Sequence, residues 1–355
     1  MNGAPHAHQR LTGSRHRCAP NLPNAGCYLP AMKVVAFTGA GGNEVVRVED
    51  RPDPDPSPHE VLLDVVVAGM NPADLQQRHG RYPPPPGVVP DVAGLEVSGT
   101  VIAIGDEVST WAIGDRLFGL VAGGGLASRV TVPERCVTRV PDRLSDEEAA
   151  AVPEAFITAH DALTTQGGLR TGEMVLVQGS SGAVGSAAVQ VAVALGAQAI
   201  GVIRSDAATS AVRALGAEPV RRAQLQATVM NLTKGRGVDL VLELVGSTNL
   251  QDDMAALAPC GRIVVVSVAT GAKAELDLLQ LMIRRATLRG TVLRARTNDE
   301  KAHAVSLFGV EVVPLLSDGR VKPSIDSIFQ VNDVQGAFDR LAEPGKSGKV
   351  LIRFA

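Results

Sequence analysis

A glycine-rich turn at residues 179–185 has the spacing that suits the pyrophosphate of a dinucleotide. It lies between an aliphatic run, residues 174–178, and an alanine-rich run, residues 183–195. Glycines at a strand-to-helix turn let the backbone bend sharply and let a phosphate approach, and the helix N-terminus favours its negative charge. The alternative is a helix-start turn packed with small residues. We predict a dinucleotide site whose contacts are Gly179, Ser180, Ser181, Gly182, Ala183, Val184 and Gly185.

The end of the next predicted strand indicates which dinucleotide is bound. An acidic residue at this point usually holds the ribose of NAD, whereas a cation accepts the extra phosphate of NADP. The strand ends at Ile203 and is followed by Arg204 and Ser205, which suit a charge-assisted phosphate contact. Asp206, one residue further on, leaves a ribose contact open as an alternative. We predict NADPH as the cofactor, with Arg204 and Ser205 as contacts.

Length and composition favour a two-domain α/β enzyme around this turn. A chain of 355 residues exceeds the size at which one core usually stops growing, and its 37 glycines and 3% aromatic residues suit packed parallel sheet and helix. The net charge is −3 without a long basic run, so nucleic acid and membrane are not expected as partners.

Cysteine spacing and hydropathy bear on the compartment. No pair has CxxC spacing among the cysteines, so neither a disulfide framework nor a zinc cluster is predicted. No apolar run is long enough to cross a bilayer and no signal peptide is recognisable, so we expect a cytoplasmic protein. Residues 1–31 are polar and without period, and we interpret them as a disordered N-terminal extension. The cysteines are Cys18, Cys27, Cys136 and Cys260.

Hydrophobic patterning divides the rest of the chain into three parts. Short β runs separated by turns predict a mostly β domain over 32–154, closing with a helix that Ser145 and Glu148 cap. Strands and helices alternate over 155–292, which predicts a doubly wound parallel sheet. The tail, 293–355, ends in a β run and is expected to rejoin the first domain.

Four further segments resemble sequence motifs of a known protein family, and they are more specific than the glycine turn alone. They are residues 71–87 (NPADLQQRHGRYPPPPG), 94–99 (GLEVSG), 153–155 (PEA) and 288–296 (LRGTVLRAR). With the glycine turn, they make the body of the chain resemble the zinc-independent medium-chain dehydrogenase/reductase superfamily. The branch is that of the quinone oxidoreductases (zeta-crystallin-like), and the nearest subgroup is the tumour-suppressor-inducible one. The resemblance implies a GroES-like domain at 32–154, an NADPH-binding Rossmann domain at 155–292, and a homodimer joined through the edge strand of the Rossmann sheet.

Two positions distinguish this chain from the zinc alcohol dehydrogenases of the same superfamily. Those enzymes place a cysteine in the segment that corresponds to residues 69–74, and a histidine before the glutamate that corresponds to Glu96. Here neither ligand is present, because Leu95 precedes Glu96 and no cysteine occurs at 69–74. We therefore expect no catalytic metal, and acceptors that take a hydride without a Lewis acid, namely quinones and α,β-unsaturated carbonyls.

The resemblance also implies which residues line the substrate pocket. Tyr82, ahead of a four-proline run, would stack on a flat acceptor and donate to a developing oxyanion, or else serve as an aromatic plug. Asn71 would bind the ligand oxygen or the nicotinamide ribose, or else form an Asx turn before Pro72. We predict both as catalytic and Asn71 also as a cofactor contact. Weaker cofactor contacts are predicted at Thr158, Gly246, Ser267, Val268, Leu293, Arg294 and Lys349.

The resulting hypothesis is a zinc-independent NADPH:quinone oxidoreductase that acts on a small molecule. An NADPH-dependent enoyl or alkenal reductase shares the architecture and is the enzymatic alternative. A nucleotide-binding structural or RNA-binding protein is the alternative from another class, and the lack of a clustered basic face speaks against it.

Overall fold

The computed structural model describes residues 31–354. The extension predicted at residues 1–31 therefore lies outside the described residues, apart from Ala31. The strands, numbered in chain order, are β1 (Ala31–Phe37), β2 (Val46–Pro52), β3 (Glu60–Met70), β4 (Glu96–Ile104), β5 (Arg116–Leu120), β6 (Arg129–Pro133), β7 (Val137–Arg139), β8 (Met174–Val177), β9 (Gln198–Ile203), β10 (Ala217–Arg221), β11 (Val238–Glu243), β12 (Leu257–Val265), β13 (Thr287–Gly290), β14 (Ile325–Gln330) and β15 (Lys349–Arg353).

The α-helices separate these strands and cover the sheets. Turns of π-helix at Pro153–Ile157 and Ala162–Gln166 flank one short helix, α3. The helices are α1 (Pro72–Arg78), α2 (Asp146–Ala150), α3 (Thr158–Asp161), α4 (Ala183–Ala194), α5 (Thr209–Ala214), α6 (Leu225–Leu232), α7 (Leu250–Ala256), α8 (Leu278–Arg284), α9 (Asn298–Glu311), α10 (Val313–Ser317) and α11 (Val334–Ala342). No helix within residues 31–354 has the length and apolarity that a bilayer crossing needs.

The first sheet combines strands from both ends of the chain. Its path is β14, β15, β3, β4, β5 and β7, with β6 paired to β3, and a separate hairpin is formed by β1 and β2. Strand β15 lies antiparallel to β3, so that Val350 is paired with Met70 and Ile352 with Ala68. The tail thus joins the first sheet, as its sequence indicated.

The second sheet has six parallel strands in the order β10, β9, β8, β11, β12, β13. In sequence order this is 3-2-1-4-5-6, the doubly wound arrangement that leaves a crevice where the order reverses, between β8 and β11. Alternate residues of its strands enter two apolar cores. Val175 and Leu242, for example, pack on the face covered by α4, and Leu176 and Val241 on the other. The predicted doubly wound sheet is confirmed.

The sequence patterns predict the start of α2 correctly, but they do not predict the helices of the tail. Ser145 accepts a hydrogen bond from the N–H of Glu148, and the Glu148 carboxylate accepts one from the N–H of Ser145, as the predicted capping box requires. The tail, expected to be of β character, contains α9, α10 and α11 as well as two strands. A second capping box, formed by Thr297 and Glu300, starts α9 and is the sequence signal that would have predicted this helix. The domain boundaries at 154 and 292 stay predictions.

Candidate active site

The glycine turn lies between β8 and α4 and has the backbone that the sequence predicts. Gly179 has a φ of +62°, a conformation that favours glycine. A Cβ at Gly185 would clash with the carbonyl oxygen of Gly179, whereas one at Gly182 would meet only that oxygen, at 3.5 Å. Gly182 is the exposed N-cap of α4, a helix of 12 residues. The space at the helix N-terminus is therefore open to a phosphate group.

The two serines of the turn point in different directions. The Ser180 side chain is fully buried, and its hydroxyl donates to the carbonyl of Val202 in β9 at 2.9 Å. That hydroxyl therefore ties the turn to the neighbouring strand. Ser181 is half-buried and lies next to the exposed Gly182. The N–H of Ser180 also donates to the Val202 carbonyl, at 3.2 Å, so Ser181 is the better placed of the two predicted contacts.

Other predicted contacts lie at the carboxyl ends of the parallel strands or next to them. Gly246, with φ of +125°, follows β11, and Ser267 and Val268 follow β12, where Val268 is 51% exposed. Thr158 opens α3, which packs against α4. Its hydroxyl is buried and has no hydrogen-bond partner in the part of the chain that the structure describes. Such an orphaned donor suits a ligand such as the cofactor's amide or ribose.

Arg204 and Ser205 are exposed at the end of β9, and Arg204 lines a groove of about 880 Å³. Asp206, the alternative ribose ligand, accepts a hydrogen bond from Arg221 at 3.1 Å. The third arginine of the groove, Arg222, donates to Asp252 at 2.6 Å. The groove therefore contains three cations and two carboxylates, each carboxylate paired with one arginine. Its net charge favours an anion.

Lys346 is a second cation near Arg204 that the sequence analysis missed. It lies in the loop before β15, and its Nζ donates to the carbonyl of Glu343 at 2.5 Å. Burial lowers the pKa of Lys346, and the positive charges of Arg340 and Arg204 lower it further. The charge of Arg204 thus acts on the Lys346 ammonium, although 142 residues separate the two in the chain.

A buried cluster on the first sheet joins Asn71, Glu96 and Lys349. The Lys349 ammonium forms an ion pair with Glu96 and donates to Asn71 Oδ1 at 2.5 Å. Asn71 Nδ2 in turn donates to Glu96 at 2.9 Å, and the second oxygen of Glu96 accepts from the N–H of Glu154 at 2.8 Å. All three side chains are at most 5% exposed. In this arrangement Asn71 and Lys349 bind each other and Glu96.

Helix α1 connects this cluster to Arg294. Asp74 is 1% exposed and accepts hydrogen bonds from the N–H groups of Asn71 and Gly94, at 2.7 and 2.9 Å. Burial raises the pKa of Asp74 to about 6 in spite of these bonds. One turn further on, Gln77 accepts a hydrogen bond from Arg294 at 2.6 Å. Arg294 comes from the chain after β13, so it crosses from the second sheet to the first.

Tyr82 lies against Arg294. The guanidinium carbon is 4.8 Å from the centre of the Tyr82 ring, a cation–π contact, and Arg294 also donates to the Tyr82 carbonyl at 3.3 Å. Burial raises the pKa of the Tyr82 phenol, and the charge of Arg294 opposes this effect only in part. The phenol therefore stays protonated at neutral pH and is available as a donor. Leu293, the other predicted contact on this segment, is buried in the apolar core.

Glu154 is a titratable neighbour that the sequence analysis did not assign a role. Burial, together with the negative charge of Glu96, raises its pKa to about 7. Its charge also raises the pKa of Tyr82. The environment that produces this pKa is assembled from residues distant in the chain, so no local pattern indicates it.

Comparison with protein families gives two matches that fit the two sheets. Residues 57–142 match the alcohol dehydrogenase GroES-like domain, and residues 183–309 match the zinc-binding dehydrogenase domain. Human quinone oxidoreductase is 30% identical over 329 residues, 90% of this chain and 97% of that protein. The chain belongs to the quinone oxidoreductase branch of the medium-chain dehydrogenase/reductase superfamily.

Solved structures of this superfamily have the same fold. A quinone oxidoreductase from Pseudomonas syringae superposes with a TM-score of 0.81 at 27% identity, covering 91% of this chain and all of that one. A mycobacterial protein whose structure was solved in complex with NADPH has the same score, identity and coverage. The GroES-like and Rossmann assignment is confirmed, and an oxidoreductase activity follows from the family.

The first sheet shows what occupies the zinc-ligand positions of this superfamily. Leu95 is 3% exposed, and a side chain at Gly69 would clash with the Glu96 carboxylate. Within residues 31–354, no three His, Cys, Asp or Glu side chains are grouped as they are around a metal ion. Glu96 itself is bound by Lys349. Zinc independence stays a prediction from these residue types.

Removal of the Lys349 ammonium tests the buried cluster. We expect Lys349→Met to lower the free energy of unfolding by about 3–5 kcal/mol, because it leaves the Glu96 carboxylate buried without its cation. Lys33→Met, which breaks an exposed pair with Asp50, is the matched control and should change the free energy by less than about 1 kcal/mol. Urea denaturation measures both. Equal small losses would contradict the account, and Glu96→Gln added to Lys349→Met should restore part of the loss.

Proposed function

We propose that the protein is an NADPH-dependent, zinc-independent quinone oxidoreductase. The observation that carries this proposal is the setting of Tyr82, a protonated phenol held against the buried cation Arg294. A ring and a hydroxyl so placed suit a flat acceptor whose oxygen gains negative charge during reduction. NADPH, when bound, supplies the hydride.

The chain's own groups divide into those that bind and those that stabilise charge. The open helix N-terminus at Gly182 receives the pyrophosphate, and the orphaned Thr158 hydroxyl binds the nicotinamide half. Tyr82 donates a hydrogen bond to the acceptor oxygen, and the positive charge of Arg294 stabilises the developing oxyanion. In this proposal, Asn71 and Lys349 do not contact the substrate. Through Glu96 they hold in place the segment that carries Tyr82, which we call the substrate-facing wall.

NADPH is preferred to NADH because of the charges at the end of β9. Arg204 has no carboxylate partner among the described residues, and Lys346 brings a second positive charge to the same region. Asp206, which would favour NADH, is bound to Arg221. A phosphate on the ribose would therefore meet two cations.

The patch formed by α8 and β13 supports the proposed homodimer. Leu278, Leu279, Met282 and Ile283 are 62–71% exposed, and β13 is the edge strand of the Rossmann sheet. An exposed apolar patch beside an unpaired strand edge is a template for pairing with a second copy. We place the dimer interface there.

A kinetic panel tests the activity. NADPH oxidation should be observed with ortho-quinones or para-quinones, and Tyr82→Phe should lower kcat at least about tenfold, because the acceptor oxygen loses its donor. Full activity of Tyr82→Phe would reduce Tyr82 to a packing role. Reduction of enones alone would indicate an enoyl or alkenal reductase, and no oxidation with any acceptor would refute both.

A binding titration tests the cofactor preference. Arg204→Ala should weaken NADPH binding about tenfold or more and leave NADH binding nearly unchanged, because only NADPH has the phosphate. Arg213→Ala, on the exposed face of α5, is the control and should affect neither. Equal losses for the two cofactors would show that Arg204 does not bind the phosphate.

Analytical ultracentrifugation tests the dimer. The wild-type chain should sediment with twice the 36.9 kDa mass of one chain, and Leu279→Glu combined with Met282→Glu should give monomers. Val310→Glu, at a residue equally exposed on α9, is the control and should stay dimeric. A monomeric wild-type chain would refute the interface.

A further inference from the structure

Three buried polar side chains lie beneath the candidate cofactor site. Gln178 directly follows β8, and Glu243 ends β11, so these two residues lie at the point where the strand order reverses. Asp253 projects from α7. The three side chains are 2%, 1% and 0% exposed. Acids are almost never buried this deeply unless their charge is compensated.

Each of the two acids has one oxygen with donors and one without. Glu243 Oε1 accepts from the N–H groups of Val245 and Gly246, the latter at 2.7 Å. Asp253 Oδ1 accepts from Gln178 Nε2 at 2.7 Å. The remaining oxygens, Glu243 Oε2 and Asp253 Oδ2, are buried and have no donor in the described part of the chain. Both acids would therefore be half-satisfied as carboxylates.

A proton shared by the two acids would give both unpartnered oxygens a hydrogen-bond partner. A hydrogen bond between the two side chains would pair these two oxygens with each other, and because ionised carboxylates have no donor, one of the two acids must then be protonated. Burial raises the pKa of Asp253 to about 9, and the negative charge of Glu243 contributes to the rise. Two backbone N–H groups donate to Glu243, whereas Asp253 accepts from one side-chain amide, so Asp253 is the better placed of the two to carry the proton. At neutral pH, Asp253 is the acid and Glu243 the acceptor.

We propose that Asp253 is a positioning residue for the cofactor: its carboxylic proton, donated to Glu243, ties the start of the dinucleotide turn to the loop that begins at Val245. This inference rests on the proposed use of a nicotinamide dinucleotide. On one side the link passes through Gln178 to Gly179. On the other it passes through Glu243 to the N–H groups of Val245 and Gly246.

The loop that begins at Val245 is hydrogen-bonded to other predicted cofactor contacts. Ser247 N–H donates to the carbonyl of Gly271 at 3.1 Å, and Thr270 N–H donates to that of Val245 at 2.9 Å. Gly246 has no room for a side chain, because a Cβ there would be 3.0 Å from the Gly271 oxygen. The loops after β11 and β12, including Val268, are thus bound together. Loss of the proton would place two negative charges side by side and release both loops.

Within residues 31–354, no cationic side chain forms an ion pair with Asp253. Helix α6 has no ionisable side chain, and Arg262 of β12 is bound to Glu173. Asp252, next in the chain, raises the pKa of Asp253 further and is itself paired with Arg222 at the surface. Arg284 of α8 donates to the carbonyls of Ala255 and Leu257, and Asp239 of β11 is paired with Arg236. Cys260 of β12 is exposed.

Asp253→Asn tests the role, because its amide reproduces the protonated acid. The Asn oxygen accepts from Gln178 and its NH₂ donates to Glu243, but it has no proton to lose. We expect unchanged NADPH affinity at pH 7. Above about pH 9 the wild-type affinity should fall about tenfold or more while that of the variant stays constant. Glu218→Gln, an exposed carboxylate-to-amide change on β10, is the control and should follow the wild type.

A double variant distinguishes a shared proton from two independent sites. Glu243→Gln alone keeps an oxygen for the two backbone N–H groups and turns an NH₂ toward Asp253, so it should bind NADPH like the wild type. Glu243→Gln combined with Asp253→Asn places two NH₂ groups face to face, so its affinity should fall by more than the product of the single effects. Additive effects, or a pH profile of Asp253→Asn equal to that of the wild type, would overturn the proposal.

Thermal unfolding without cofactor tests whether Asp253 is protonated in the folded protein, independently of NADPH binding. Because the folded pKa of Asp253 lies above its unfolded value, the folded state binds the extra proton and wild-type stability falls as pH rises between about 4 and 9. The wild-type Tm should therefore decline relative to that of Asp253→Asn across this range. A constant difference would refute the shared proton. A declining one without NADPH binding in any variant would refute the proposed function and the positioning role while leaving the proton assignment intact.

Discussion

The ion pair between Lys349 and Glu96 is the interaction on which the first sheet and its site depend. It joins β15, near the C-terminus, to β4, and through Asn71 it fixes the start of α1. The second Glu96 oxygen binds the N–H of Glu154, where the chain leaves this sheet. A glutamate buried here without its lysine would carry an uncompensated charge, so the closing strand must be in register before the wall around Tyr82 is complete.

Two buried acids in this protein are neutralised by different means, and position explains the difference. Glu96 lies where β15 brings a lysine from 253 residues away, so a cation compensates its charge. Asp253 lies between α7 and the crevice of the parallel sheet and has no ion-pair partner among residues 31–354, and in our proposal a proton takes that role. A cation keeps its charge over the whole neutral range, whereas a proton is exchanged with solvent as pH rises. Only the second arrangement makes geometry depend on pH.

The sequence predicts what local chemistry determines. The glycine turn, the capping box at Ser145 and the order of strands and helices all follow from residues near one another, and each is found in the structure. Side-chain direction is set by more distant partners. Ser180 was predicted as a phosphate donor, yet its hydroxyl binds Val202 of the adjacent strand. Glu154 and Lys346 owe their surroundings to contacts across the fold, which no single pattern in the chain contains.

Arg294 joins the two halves of the candidate site, and this link constrains how reduction can occur. Arg294 leaves the second sheet just after β13 and ends between Gln77 and the Tyr82 ring in the first. A displacement of either sheet would break a buried, charge-assisted hydrogen bond or the ring contact, both of which are strong in a desolvated setting. Tyr82 is thereby held at a fixed place relative to the segment that follows the Rossmann sheet. In the proposed reaction, the donor to the acceptor oxygen and the cofactor site therefore share a rigid connection, so hydride transfer and oxyanion stabilisation meet at one place without a metal ion to organise them.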